Sequence, residues 1–247
     1  MHSRPGIAAT LLILIPGLAP GQTQQPPPPP KLEGTAELAF VGTAGNASTN
    51  TLSAGGELIG RPTTWVLITR AAAIRNEADD VLTADSVMFG FRAERVITSR
   101  LSAFGEYAYF QDEFAGVDHR NGVTGGLAFK VFEDAIQSLA ADAGLGYLAE
   151  TRLTGDDVSS ATYGGGGRYQ WKISPTATLD EEVRLTGTFD IAEDWRLGQR
   201  VSVTARLTEI LSLKVSNAIQ YVRTPPVGFK TTDTTTSVAL VAKFRRQ

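Results

Sequence analysis

From Gly34 onward the apolar residues of this chain recur at every second position, not at the 3.6-residue spacing of a helix. Between 211 and 223, Leu211, Leu213, Val215, Ile219 and Tyr221 share one face, while Ser212, Lys214, Ser216 and Gln220 share the other. Val201, Val203, Ala205 and Leu207 repeat the pattern against Arg200, Ser202, Thr204 and Arg206. Leu179, Val183, Leu185 and Phe189 do so against Asp180, Glu182, Arg184 and Thr186. A chain written this way folds into strands with one greasy and one strongly polar face. Twelve such segments can be marked, over 34–45, 50–60, 63–76, 84–98, 100–112, 120–132, 137–153, 159–173, 176–189, 195–208, 211–223 and 233–245. Their length suits tilted strands that cross a bilayer and project beyond it.

A soluble β-sandwich would also alternate, so the connections and the aromatics have to decide. Gly60-Arg61-Pro62, Ile97-Thr98-Ser99, Ser174-Pro175 and Thr208-Glu209-Ile210 are tight turns, whereas 76–83, 113–119, 155–159 and 224–232 are longer. Short turns on one rim and longer loops on the other are the habit of bacterial outer-membrane barrels. Trp65, Phe129, Trp171 and Phe244 fall near the short-turn ends, and Tyr163, Phe189, Trp195 and Tyr221 near the long-loop ends, as two interfacial girdles would. Acidic residues such as Asp79, Asp80, Asp156, Asp157, Glu193 and Asp194 gather at the long-loop rim. Twelve strands with no helix to cover an edge must close, because an open edge in hydrocarbon leaves backbone groups unpaired. The expected fold class is an all-β, transmembrane, antiparallel up-and-down β-barrel of 12 strands over residues 34–247, a monomer by default.

Ahead of the barrel, Arg4 precedes an uncharged apolar run, Ile7 to Ala19, and then the small residues Ala19-Pro20-Gly21. This is the layout of a secretory signal peptide, with cleavage expected before Gln22, so that 1–21 is the signal and 22–33 a Pro-rich periplasmic leader. Pro26 to Pro30 make that leader an extended polyproline II spacer. The expected address is the bacterial outer membrane, with outer-membrane lipid and lipopolysaccharide as surroundings and the barrel-insertion machinery as the partner in biogenesis. A net charge of −3 with 20% charged residues gives no basis for nucleic-acid binding. With no cysteine there is no disulfide, thiol nucleophile or thiolate metal site.

Few residues suggest chemistry. The only histidine beyond the signal segment, His119, is expected in an outer loop, a poor place to hold a general base against a nucleophile. A membrane-embedded lipid hydrolase is therefore the weakest reading, and no catalytic residue is assigned. Asp79-Asp80 and Asp156-Asp157 could meet Ca²⁺ but lack the alternate-oxygen spacing of a dedicated loop, so no metal site and no cofactor is assigned. Gly164 to Gly167 has no Lys-Ser/Thr pair and no helix behind it, which excludes a phosphate loop. Gly144 and Gly146 share a side with Gly164 and Gly166, and a roomier patch of the lumen is expected beside them. The residues expected to line the lumen are Glu37, Arg92, Glu106, Lys130, Asp142, Glu150, Arg168, Lys172, Glu182, Arg184, Arg200, Arg206 and Lys214, with Glu94, Arg152 and Asp180 beside them. In a narrow barrel such side chains either line a thin aqueous path or pair across the lumen and close it.

Three stretches resemble a known family, the YdiY-like salt-induced outer membrane proteins, catalogued as a domain of unknown function. Gly34-Thr35-Ala36-Glu37-Leu38-Ala39-Phe40-Val41-Gly42-Thr43-Ala44-Gly45-Asn46 is similar to its opening strand and turn, and Tyr169-Gln170-Trp171-Lys172-Ile173-Ser174 to its mid-chain Tyr-x-Trp segment. The final hairpin, Pro225-Pro226-Val227-Gly228-Phe229-Lys230-Thr231-Thr232-Asp233, resembles its Pro-Pro-x-Gly-x-x-Lys-Thr-Asp ending. The family tends to finish on an aromatic residue, whereas here Arg245-Arg246-Gln247 follows Phe244. The resemblance implies a location and a barrel and supplies no catalytic or binding residues. Two functions stand in front: a narrow passive channel for ions or small polar solutes, and a non-conducting envelope barrel with a salt-bridged lumen and acidic surface loops.

Overall fold

The computed structural model describes residues 29–43, 49–78, 81–190 and 194–246. The expected signal peptide, most of the leader, and the acidic residues Asp79, Asp80 and Glu193 lie outside the described residues. Twelve strands follow in order: β1 (Leu32–Thr43), β2 (Thr49–Gly60), β3 (Trp65–Ala78), β4 (Val81–Val96), β5 (Leu101–Asp112), β6 (Val117–Glu133), β7 (Gln137–Arg152), β8 (Val158–Ser174), β9 (Ala177–Thr188), β10 (Trp195–Arg206), β11 (Leu211–Val222) and β12 (Thr232–Arg246). Each pairs antiparallel with its neighbours in sequence, and β1 pairs with β12 to close the barrel. No described helix is long and apolar enough to cross a membrane; the crossing elements are strands.

The alternation fixes which side each residue takes. Leu38, Leu52, Phe91, Val123, Leu145, Leu185, Val215 and Leu240 are exposed on the outside, an apolar belt of the kind that faces lipid in outer-membrane barrels. Trp65, Phe129 and Phe244 stand out from one end of that belt, and Tyr163 and Phe189 pack edge to face at the other. Trp195 lies against Tyr221 at that same outer rim.

Two outer connections expected as loops are shortened by strand that runs into them from the flanks. β3 and β4 run on to Ala78 and from Val81, where a loop over 76–83 was expected, and β6 begins at Val117, so His119 sits in a strand. Above the belt both faces are wet, the apolar period vanishes, and sequence loses the strand although the hydrogen-bond ladder continues. Arg75 shows the change of surroundings, pairing on the outside with Glu77 at 2.9 Å and Asp85 at 3.9 Å.

The glycine patch on β6, β7 and β8 has a backbone cause. A Cβ at Gly126 would lie 2.2 Å from the carbonyl oxygen of Ala143, and one at Gly146 2.3 Å from that of Val123. Adjacent strands here approach more closely than any side chain allows, which lets the wall coil tightly.

Candidate functional site

The lumen holds two cavities separated by a layer of charge. The larger, about 440 Å³, opens toward the long-loop rim; the smaller, about 240 Å³, opens toward the short turns. Arg70, Glu106, Asp142, Glu182 and Arg184 belong to the walls of both, so this layer is a waist reached from both ends.

Register builds the waist. Arg92 on β4 stands directly opposite Glu106 on β5, and Glu182 on β9 is flanked in one row by Arg168 on β8 and Arg200 on β10. Arg70 on β3 stands opposite Glu57 on β2. Some of the ion pairs then leave the wall. Arg92 Nη1 donates to Glu106 Oε2 at 3.0 Å and to Asp142 Oδ2, three strands away, at 3.1 Å. Arg184 Nη2 reaches the same Asp142 oxygen at 3.4 Å. Arg70 Nη1 lies 3.9 Å from Glu182 Oε1, and β3 and β9 are six strands apart in a twelve-stranded ring, so this contact spans the lumen.

The waist has a dry side and a wet side. Arg92 is buried, with its guanidinium 3.7 Å from the centre of the Phe104 ring and Glu94, Glu106 and Asp142 around it. The Arg70, Glu182 and Arg184 side chains are each about one-third exposed, although they sit in the middle of the barrel. Ion pairs hydrated to this extent contribute on the order of 0–1 kcal/mol each, too little to lock the passage.

The remaining residues expected at the lumen sit elsewhere on the inner face. Lys130 lines the smaller cavity and pairs with Glu133. Lys214 and Glu37 pair along the wall at 2.7 Å, outside both cavities. Lys172 donates to the carbonyl of Ala135 and Arg206 to that of Pro175, both at the short-turn rim. Glu150 does not face open space: it is 2% exposed, beneath Arg120, Arg152 and Arg196. Inner-face residues missed by the sequence reading include Glu57, Arg70, Arg120, Arg196 and Lys243. Arg196 could have been found, because outward-facing Trp195 and Leu197 force it inward.

The β11–β12 connection, residues 223–231, folds over the outer mouth. Phe229 packs on Gly116, where a Cβ would lie 2.7 Å from its ring and where φ is +76°. Thr154 Oγ1 donates to the Val227 carbonyl at 2.9 Å. Gly116 joins β5 to β6 on the opposite side of the ring, so this loop bridges the opening. His119 Nδ1 lies 3.0 Å from Asp118. Asp157 accepts the Arg152 backbone N–H, and among the described residues no group of three or more acidic or histidine side chains is arranged to hold a metal.

A family model described as "Protein of unknown function, DUF481" matches residues 36–244. Among curated proteins none matches. Among solved structures, the chain is similar to an outer membrane channel from Pseudomonas putida F1, with 11% identity, 92% of this chain and 100% of that one covered, and a TM-score of 0.51. It is also similar to the NanC porin, with 10% identity, 85% and 98% covered, and a TM-score of 0.50. At these identities the likeness is one of fold, that of the outer-membrane barrels.

Proposed function

The chain belongs to the DUF481 family, and from that footing we propose that it is an outer-membrane barrel passing ions or small polar solutes passively through the charged waist. The observation that carries this reading is the sharing of five waist side chains by two cavities that open to opposite rims. A sealed lumen would bury its charges, and the wet half of the waist leaves them about one-third exposed. Passage past such a layer selects by charge and by size together. The apolar belt with its aromatic rims supports residence in the outer membrane among lipid and lipopolysaccharide. Export by cleavage before Gln22 belongs to the same proposal, and the N-terminal sequence of protein recovered from outer-membrane fractions checks it.

The decisive test is single-channel recording of purified protein in planar bilayers, with folding verified by heat-modifiable gel mobility. Steady conductance steps are expected. Silence from verified folded protein would overturn the channel and leave a structural barrel, a reading favoured by one contact, the Arg70–Glu182 approach across the lumen.

A further inference from the structure

The wall of the larger cavity carries more arginine than acid, although Glu150 behind the wall pairs with Arg120 and Arg196, and Glu57 with Arg70. Five guanidiniums, those of Arg70, Arg120, Arg184, Arg196 and Arg200, reach its wall, against the three carboxylates of Glu106, Asp142 and Glu182. All three carboxylates are already engaged: Glu106 by Arg92, Asp142 by Arg92 and Arg184, and Glu182 by Arg168 and Arg70. A cation entering from the outside finds no free acid there. An anion finds Arg200, which is exposed and makes no ion pair within 4 Å among the described residues.

Beside Arg200 there is room for that anion. Arg184 stands opposite Gly198 on β10, and Arg200 follows two residues later on the same inner face. Nothing lies within 4 Å of where a Cβ would be at Gly198, so the glycine leaves an open floor between the two guanidiniums. Arg184 is kept in place from behind, its guanidinium resting 3.6 Å from the Cβ position of Gly166 and reaching Asp142. Thr186 and Gln220 line the same chamber and offer neutral donors. A chamber of about 440 Å³ holds a small organic acid with its water.

We propose that Arg184 and Arg200, over the floor of Gly198, form a binding site for small carboxylate- or phosphate-bearing solutes on the outer side of the waist. A planar carboxylate or a phosphate suits the guanidinium fork, which gives two parallel charge-assisted hydrogen bonds. Under the channel reading, on which this part rests, the site makes the path anion-selective.

Citrate and inorganic phosphate, titrated calorimetrically into the folded, detergent-solubilised full chain, test the site without requiring conduction. Citrate binding is expected in the wild type. It should weaken about tenfold in R200Q, for one lost bidentate contact, and should also weaken in G198L, which fills the floor without changing charge. R75Q removes the same charge from the outer surface and should bind as wild type. Equal loss in R75Q, or no heat from either anion, would overturn the site. In bilayers, reversal potentials in a potassium chloride gradient should report chloride preference, reduced in R200Q; potassium preference would overturn the selectivity while leaving the channel. Binding by folded protein that conducts nothing would overturn the channel and leave the site.

Discussion

At Gly126 one methyl group decides whether β6 and β7 can meet. An alanine there would place its Cβ 2.2 Å from the Ala143 carbonyl oxygen and 2.6 Å from the Gly144 Cα, both backbone atoms that cannot rotate away. At Gly105 nothing lies within 4 Å. G126A should therefore lose about 1–3 kcal/mol, the usual cost of overpacking, and G105A should unfold like wild type. Urea titration in lipid vesicles, followed by gel mobility, measures both; equal midpoints would mean that the wall relaxes. The glycine patch was visible in the sequence as a cluster, but its cause was not, because close backbone approach depends on coiling that no single strand encodes. Gly144 and Gly164 line the larger cavity, yet a Cβ at either would lie 2.6 Å from a neighbouring backbone carbonyl oxygen, so close strand approach accounts for these glycines too. Which charges face inward was legible wherever one face was clearly apolar, as for Arg168, Glu182 and Arg200. Arg70 was not legible, because Val66, Ile68 and Ile74 make its own face as apolar as the one behind it; its opposite partner Glu57 settles the side, and that is a register fact.

At the scale of elements, strand count, order and most bounds were legible because lipid on one side and water on the other keep the period at two. Hairpin ends and loop docking were not, since they lie in water on both sides. The β11–β12 loop is the case with consequences. Its hold on the opposite rim includes one ring over one glycine and one hydrogen bond, Phe229 on Gly116 and Thr154 to Val227, and Pro226 beside them is buried. G116V should dislodge it twice over, by filling the space of the ring and by straining a φ of +76° that favours glycine. The expected result is faster proteolytic cutting within 223–231 of folded protein in vesicles, with the belt strands still protected. F229A removes the ring without straining Gly116 and should act in the same direction. Unchanged cutting in both variants would mean that the loop holds itself by its own turn, in which the Phe229 N–H donates to the Pro226 carbonyl.

For the whole molecule, the question is where resistance to passage lies, and the two-chamber lumen locates it at the waist. The backbone ladder around the ring holds the barrel, so side chains inside it can be shortened without dismantling the wall. Arg70 reaches across to Glu182 from the far side of the ring and belongs to the walls of both chambers. Lys214 pairs with Glu37 along the wall and belongs to neither. The two cations are thus alike in charge and in facing inward but differ in place. R70A clears the crossing contact; Glu182 keeps Arg168 at 3.3 Å and Arg200 beside it in register, while Glu57 loses the ion pair it makes with Arg70 along the wall. If the waist limits flow, R70A should enlarge the single-channel step, while K214A, with the same loss of one charge, should leave it near the wild-type value. Equal steps in all three proteins would move the resistance to the outer mouth, and F229A would then be the variant expected to enlarge it. An increase in K214A matching that in R70A would mean that net lumen charge governs the current and that the crossing contact does not obstruct the path.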